Sequence, residues 1–335
     1  MFKKIVMSGL LAAGLMSPAA QAETVLRAFA PVSESRPEGK MFQSLFSAKV
    51  EELSGGDLKI QTFYAGGLGF EVKDLLRHMK KNTVDIGMVL GAYYPRDAEA
   101  LSLMLVDGAL TTADNLEAYR NVFSEGFDES LDRWGVVNVG FMQPLILDHA
   151  IYCKEPVTTL EQLRTKKLRT WTKHQLETFK AMGVSAQMLP KEDLYVALQT
   201  GVVDCAIYLG EVATLLGLHE VAPYETYMLP FISAPAGIGI SQISWDKLSD
   251  EQRAIISEAG AYATVESTKQ AIAFGQNKEQ ARADRSEKGI IITEGFSDAD
   301  REAIVTSMRE TWKVMAKEAG PDTVALVDRV LAVKQ

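Results

Sequence analysis

Arg169 is the residue with the clearest chemical use in this chain of 335 residues. It sits near the end of a strand-like run, residues 166–171 (KKLRTW). A planar guanidinium grips a carboxylate through two parallel hydrogen bonds, and in open α/β sheets ligands collect beyond the carboxyl ends of strands. The ordinary alternative is a solvated surface arginine. Other chemistries lack their residues. His78, His149, His174 and His219 show no metal-ligand spacing, and no CxxC motif occurs, so no metal site is expected. There is no GxSxG elbow and no GxxxxGK[ST] loop, and Gly66-Gly67-Leu68-Gly69 lacks the spacing of a dinucleotide fingerprint. No cofactor is expected. Acidic residues are abundant, yet no two are marked out as an acid–base pair, and nothing in the sequence demands catalysis.

The elements that would position such a residue are announced by an internal echo. Residues 75–90 (LLRHMKKNTVDIGMVL) and 194–209 (LYVALQTGVVDCAIYL) each read as an amphipathic helix, a stop, and an apolar strand. Leu75, Leu76 and Met79 continue a helical stripe begun by Val72, and Leu194, Ala197 and Leu198 repeat it. Asn82 and Gly201 stand where a left-handed residue ends a helix. Asp85 and Asp204 open the two strands and are expected to make local backbone hydrogen bonds. Elsewhere strand-like runs (24–30, 58–63, 136–151) alternate with helical ones (37–53, 112–135), which favours an α/β sheet architecture in two lobes. Thr159-Leu160-Glu161-Gln162 and Ser249-Asp250-Glu251-Gln252 are capping boxes. From the second, residues 249–288 run without proline and are expected to form one strut lying across both lobes; the alternative is two helices meeting at a kink near Gly275. Residues 297–319 and 322–333 read as further helices.

The ends and the composition narrow the setting. Lys3 and Lys4, an apolar run over 5–16 and the small-residue site Ala20-Gln21-Ala22 read as an export signal, residues 1–22, cleaved after Ala22. The run is too short for a comfortable membrane span. Without those two lysines the formal charge moves from −9 to −11, which argues against a nucleic-acid or anionic-membrane surface. The two cysteines, Cys153 and Cys205, lie in strand-like runs and are either bridged in an oxidising compartment or two buried thiols.

Lys167-Leu168-Arg169 followed by Ala197-Leu198-Gln199-Thr200-Gly201-Val202-Val203-Asp204 resembles the extracytoplasmic solute receptors of tripartite ATP-independent periplasmic (TRAP) transporters, of the DctP type. Residues 63–69 (FYAGGLG), Thr83-Val84-Asp85, residues 245–249 (WDKLS) and the long helix after them add to the resemblance, which covers essentially the whole mature chain. It implies a two-lobed periplasmic binding protein of the type II-like, Venus-flytrap kind, with a long helix spanning both lobes. Lobe I would comprise residues 23–147 plus about 236–275, and lobe II residues 148–235 plus about 276–335. The arginine matching Arg169 would bind the carboxylate of a small organic acid, captured by hinge closure and delivered to the small and large membrane subunits of the transporter by a monomeric periplasmic receptor. Where the family often carries a second arginine this chain has His149, and Tyr208 replaces a common asparagine. Trp171, Thr172, Lys191 and Glu71 fall near pocket positions of the family. These departures suit a mono-acid with an apolar or aromatic body better than a dicarboxylate. Trp171 and Tyr208 are equally readable as core aromatics, His149 as a strand histidine with a local hydrogen bond, and Lys191 and Glu71 as solvated helix-start residues. Two other functions stay open on the sequence: an exported lyase or hydrolase acting on a small carboxylate, and the receptor of an ATP-driven importer.

Overall fold

Short apolar strands alternating with helices build two separate sheets in a computed structural model, which describes residues 23–104 and 107–333. The expected export signal lies outside the described residues. The first sheet has the order β2-β1-β3-β10-β4, from Thr24–Ala30 (β1), Leu58–Tyr64 (β2), Ile86–Val89 (β3), Val136–Met142 (β4) and Ala236–Ser241 (β10). The second has the order β11-β9-β5-β8-β6-β7, from Leu147–Cys153 (β5), Lys167–Thr170 (β6), Ser185–Met188 (β7), Cys205–Leu209 (β8), Tyr224–Phe231 (β9) and Ile291–Ile292 (β11). In each sheet a parallel core, β2-β1-β3 or β7-β6-β8, meets antiparallel strands that lead to the other lobe.

The echo in the sequence is an echo in space. Asn82 and Gly201 both adopt left-handed backbone, with φ of 54° and 78°, and each ends a helix. Asp85 donates its N–H to the Arg27 carbonyl at 2.9 Å and accepts the Arg27 N–H on its carboxylate at 2.7 Å. Asp204 does the same to Lys167, at 2.9 Å in both directions. The expected bond was local; the observed bond crosses to the adjacent strand, because the parallel register brings Arg27 in the middle of β1, or Lys167 at the start of β6, opposite the aspartate. Asp204 therefore fixes the strand that carries Arg169.

Two crossings join the lobes, from β4 to β5 and from β9 to β10. Gln143 ties them: its amide Nε2 donates to the Ser233 carbonyl at 3.0 Å, and its backbone N–H donates to Ser267 Oγ at 2.9 Å on the helix Asp250–Gln276. That helix buries Ile256, Ala259 and Ala263 against the first sheet. It approaches β4 backbone to backbone, since a Cβ on Gly260 would lie 1.8 Å from the Val139 carbonyl oxygen.

The strut itself is two helices. The first ends at Gln276, Asn277 leaves helical geometry, and Glu279–Glu287 continues on lobe II. No proline is needed, because polar contacts pull the second segment off the first one's axis. The buried Lys278 ammonium donates to the Ile146 carbonyl and pairs with the Glu211 carboxylate. Arg285 pairs with Asp148 at 2.9 Å and Glu225 at 2.7 Å, and Arg282 pairs with Asp148 at 3.0 Å.

A second departure concerns the C-terminus. In the helix Asp298–Ala319, Ile304 and Met308 enter the core of lobe II, whereas Trp312 and Ala316 enter that of lobe I. The helix Pro321–Leu331 then packs Leu326, Val327 and Val330 into the cluster of Phe123 and Phe127. The residues from Trp312 onward thus return to lobe I, against the expected division, because the apolar stripe on the terminal helix has its complement there. Cys153 and Cys205, opposite each other on β5 and β8, are joined by a disulfide.

The two aspartates differ in burial, and that sets a comparison. Asp85 is 8% exposed and also accepts a hydrogen bond from Ser244 Oγ at 2.7 Å, while Asp204 is half-buried. Asp85→Ala should cost about 2–3 kcal/mol and Asp204→Ala about 1 kcal/mol, because the penalty grows with the burial of the stranded donors. Urea denaturation of both variants checks the order; equal losses would mean that the aspartates do not act through these bonds.

Candidate functional site

Arg169 lies on a central strand of the second sheet and is only 1% exposed. Its Nε donates to the Leu189 carbonyl at 3.0 Å and its Nη1 to the Ile207 carbonyl at 3.2 Å; among the described residues Nη2 has no hydrogen-bond partner. No carboxylate among the described residues comes within ion-pair distance of it. Burial lowers its pKa, opposed by Tyr208 and then Glu192. A guanidinium nevertheless stays protonated in a protein, so the site holds a desolvated positive charge without an internal partner.

Aromatic rings wall this charge. The Arg169 guanidinium carbon is 5.8 Å from the Trp171 ring and 5.9 Å from the Tyr208 ring, within cation–π range. Trp171 meets Tyr208 edge-on at 5.5 Å, His149 at 5.4 Å and Phe231 at 6.2 Å; His149 and Phe231 are 5.5 Å apart. Each ring is delivered by a strand of the second sheet: Trp171 follows β6, Tyr208 is on β8, His149 on β5, and Phe231 ends β9. The sequence reading missed Phe231, whose only signal was its place at the mouth of an interlobe crossing.

Behind the rings lies a buried polar group. His149 is fully buried, neither ring nitrogen has a hydrogen bond, and Nδ1 stands 3.8 Å from Asp107 Oδ1. The local hydrogen bond expected for a strand histidine is not made. Asp107 Oδ2 accepts from Gln175 Nε2 at 2.7 Å. Asp107 belongs to a segment whose neighbours Met104, Ala109 and Leu110 enter the core of lobe I, so it meets His149 across the lobes. Its role has no sequence signal, for it depends on tertiary packing.

The remaining candidates are otherwise engaged. Thr172 caps the helix Lys173–Ala181, its hydroxyl accepting the Gln175 N–H at 3.0 Å. Lys191 is exposed and lies 3.9 Å from Glu192, and Glu71 is exposed and paired with Lys73. The structure brings neither into the aromatic group, as suits charged residues at helix starts. A residue not foreseen, Arg36, follows β1 on lobe I and is held by Glu38 through two bonds of 3.2 Å. Burial raises the Tyr208 pKa, and the charges of Arg169 and of Arg36 lower it, which sets Arg36 near this lobe II ring. A separate recess of about 860 Å³, beside Glu129, Arg133 and Pro321, has nothing like Arg169's unpaired, desolvated charge. Among the described residues no group of side chains has the makings of a metal site, and no helix is long and apolar enough to cross a membrane.

Two sheets, two crossings, a helix over the junction and a desolvated cation at strand ends define a two-lobed solute receptor. The chain belongs to the family described as bacterial extracellular solute-binding protein, family 7 (DctP), which matches residues 30–319, and is a receptor of the TRAP transporter class. It is 29% identical over 255 residues to the uncharacterized protein YiiZ of Salmonella typhimurium, spanning 74% of this chain and 75% of that one. Its fold is similar to an apo, open TRAP periplasmic solute-binding protein of Rhodobacter sphaeroides, at 19% identity and a TM-score of 0.80, covering 93% of this chain and 100% of that one. It is also similar to a marine metagenome TRAP solute-binding protein specific for aromatic acid ligands, in complex with 3-hydroxybenzoate, at 20% identity and a TM-score of 0.71, covering 93% and 98%.

Burial lowers the pKa of His149 and of His174, in each case against the pull of Asp107. A histidine depressed in the folded state contributes stability that is full above its unfolded pKa of about 6.5 and is lost as pH falls below it. Thermal stability should therefore begin to decline below about pH 6.5, well above the carboxylate range. The decline should flatten in His149→Phe. A Tm that holds steady between pH 7 and 5 would show that neither imidazole is buried neutral.

Proposed function

We propose that this receptor works in the periplasm, after cleavage following Ala22, as a monomer that captures a small monocarboxylate with an aromatic or apolar body and hands it to the small and large membrane subunits of a TRAP transporter. Arg169 anchors the carboxylate, and Trp171, Tyr208, His149 and Phe231 form the wall against which the body packs. The observation that carries this reading is the nearly inaccessible guanidinium without a counter-charge: the solute would supply the missing charge. Lobe closure would then be a population shift, because only a solute touching both lobes favours the closed state. That the family and the structural neighbours are solute-binding receptors supports binding and release of the solute unchanged. That the metagenome receptor of similar fold is specific for aromatic acids supports the aromatic body. A dicarboxylate reaching toward His149 fits worse, for its second anion would come to a neutral imidazole and the carboxylate of Asp107, while Arg36 is already paired with Glu38.

The test is a thermal-shift and calorimetric screen of the mature protein against aromatic monocarboxylates, aliphatic monocarboxylates and dicarboxylates. Stabilisation should rise with ligand concentration and be largest for the aromatic monocarboxylates. Arg169→Ala should lose about 1.5–3 kcal/mol of binding, roughly tenfold to a hundredfold, with its circular dichroism unchanged. Undiminished affinity in that variant would remove Arg169 from the site.

A further inference from the structure

His149 and Asp107 approach each other without forming a hydrogen bond. At 3.8 Å, Nδ1 and Oδ1 are too far apart for a hydrogen bond, whose limit lies near about 3.2 Å. Nδ1 is covered in the conformation described, so an oxygen could lie roughly 2.8 Å from both atoms only after the two lobes part to admit it. The imidazole has no other partner at either nitrogen, whereas the second oxygen of Asp107 is already fixed by Gln175. The pair therefore offers one carboxylate oxygen that can only accept and one ring nitrogen free to donate.

We propose that His149 and Asp107 together recognise a hydroxyl group on the solute, so that the transported acid is a hydroxylated aromatic monocarboxylate with its hydroxyl remote from the carboxylate. A hydroxyl is the small group that both donates, to Asp107 Oδ1, and accepts, from the His149 N–H. A second carboxylate cannot donate, and an ammonium cannot accept. Trp171 is near both ends, 5.8 Å from the Arg169 guanidinium carbon and 5.4 Å from the His149 ring. An aromatic body beside Trp171 would hold its carboxylate toward Arg169 and its hydroxyl toward His149. Asp107 comes from lobe I and His149 from lobe II, so the hydroxyl would be held fully only when the lobes meet. The imidazole is shut off from water in the conformation described, so the solute enters as the lobes part. Discrimination and closure would be one event, and a site built around a hydroxyl rejects the analogue lacking it because its own polar groups are left unpaired.

This inference rests on the carboxylate reading of Arg169, and the experiment separates the two. Binding of benzoate and of its 2-, 3- and 4-hydroxy derivatives is measured by calorimetry on the mature wild type, His149→Phe and Asp107→Asn. In the wild type at least one hydroxylated acid should bind about tenfold or more tightly than benzoate. His149→Phe keeps a ring in the wall but loses the nitrogens, so the affinities for benzoate and for its hydroxylated derivatives should converge. Asp107→Asn, which keeps the shape, should narrow the preference and stands in if the phenylalanine variant does not fold. Equal binding of benzoate and all three derivatives by the wild type overturns the hydroxyl inference alone, as does a preference that survives both substitutions. Absence of binding by every acid overturns the carboxylate reading and the inference with it.

Discussion

A positive charge withdrawn from water without a protein counter-charge is the constraint around which lobe II is arranged. Burying an arginine costs several kcal/mol unless hydrogen bonds and an opposite charge offset it. Here the offset is partial: two backbone carbonyls and two aromatic faces hold Arg169 in place, and no carboxylate neutralises it. The position is maintained because β6 cannot move away, being paired to β7 and β8 and pinned at its start by Asp204. A receptor benefits from leaving the charge unsatisfied. Had an aspartate stood beside Arg169, a solute carboxylate would have to displace it and would gain little.

The hinge solves the opposite problem with the same residue types. Around the helix break, Lys278, Arg282 and Arg285 face Glu211, Asp148 and Glu225, and Tyr152 donates to Glu225 at 2.6 Å. The charges balance within the protein. Burial alone would raise the Asp148 carboxyl, but its hydrogen bonds from Arg282 and Arg285 hold it below the usual carboxylate range. Such a network fixes one geometry, because each group leaves another unpaired if it moves. One cluster is complete and the other lacks a charge, which in the proposed reading a solute supplies.

Much of this was legible in the sequence where the signal is local. Asn82 and Gly201 marked helix ends because few residues tolerate left-handed backbone, and the capping boxes at Thr159 and Ser249 formed as written. Arg169 stood out because a strand end in an α/β protein is where a guanidinium is useful. What escaped notice was set by partners distant in the chain. Asp107 matters only because a lobe I segment lies against β5; Arg36 and Phe231 are ordinary residues until two lobes bring them near the same rings. The helix break at Asn277 has no proline or glycine at the break itself, since its cause is Lys278 reaching the Ile146 carbonyl and Glu211.

The two lobes also explain why the terminal helices run as they do. A receptor joined by crossing strands alone would open freely, and its closed form would have to be stabilised wholly by the solute. The helix Asp250–Gln276 meets β4 with no side chain between at Gly260, binds the first crossing through Ser267, and hands over to a segment locked on lobe II. On another side, the helix Asp298–Ala319 buries Met308 in lobe II and Trp312 in lobe I. Any movement between the lobes would have to pass through these straps and the two crossings. In the proposed reading such a movement would change the distance between Asp107 and His149 while Arg169 stays within its own sheet, so that the anchor and the reader of the solute lie on different parts of the fold.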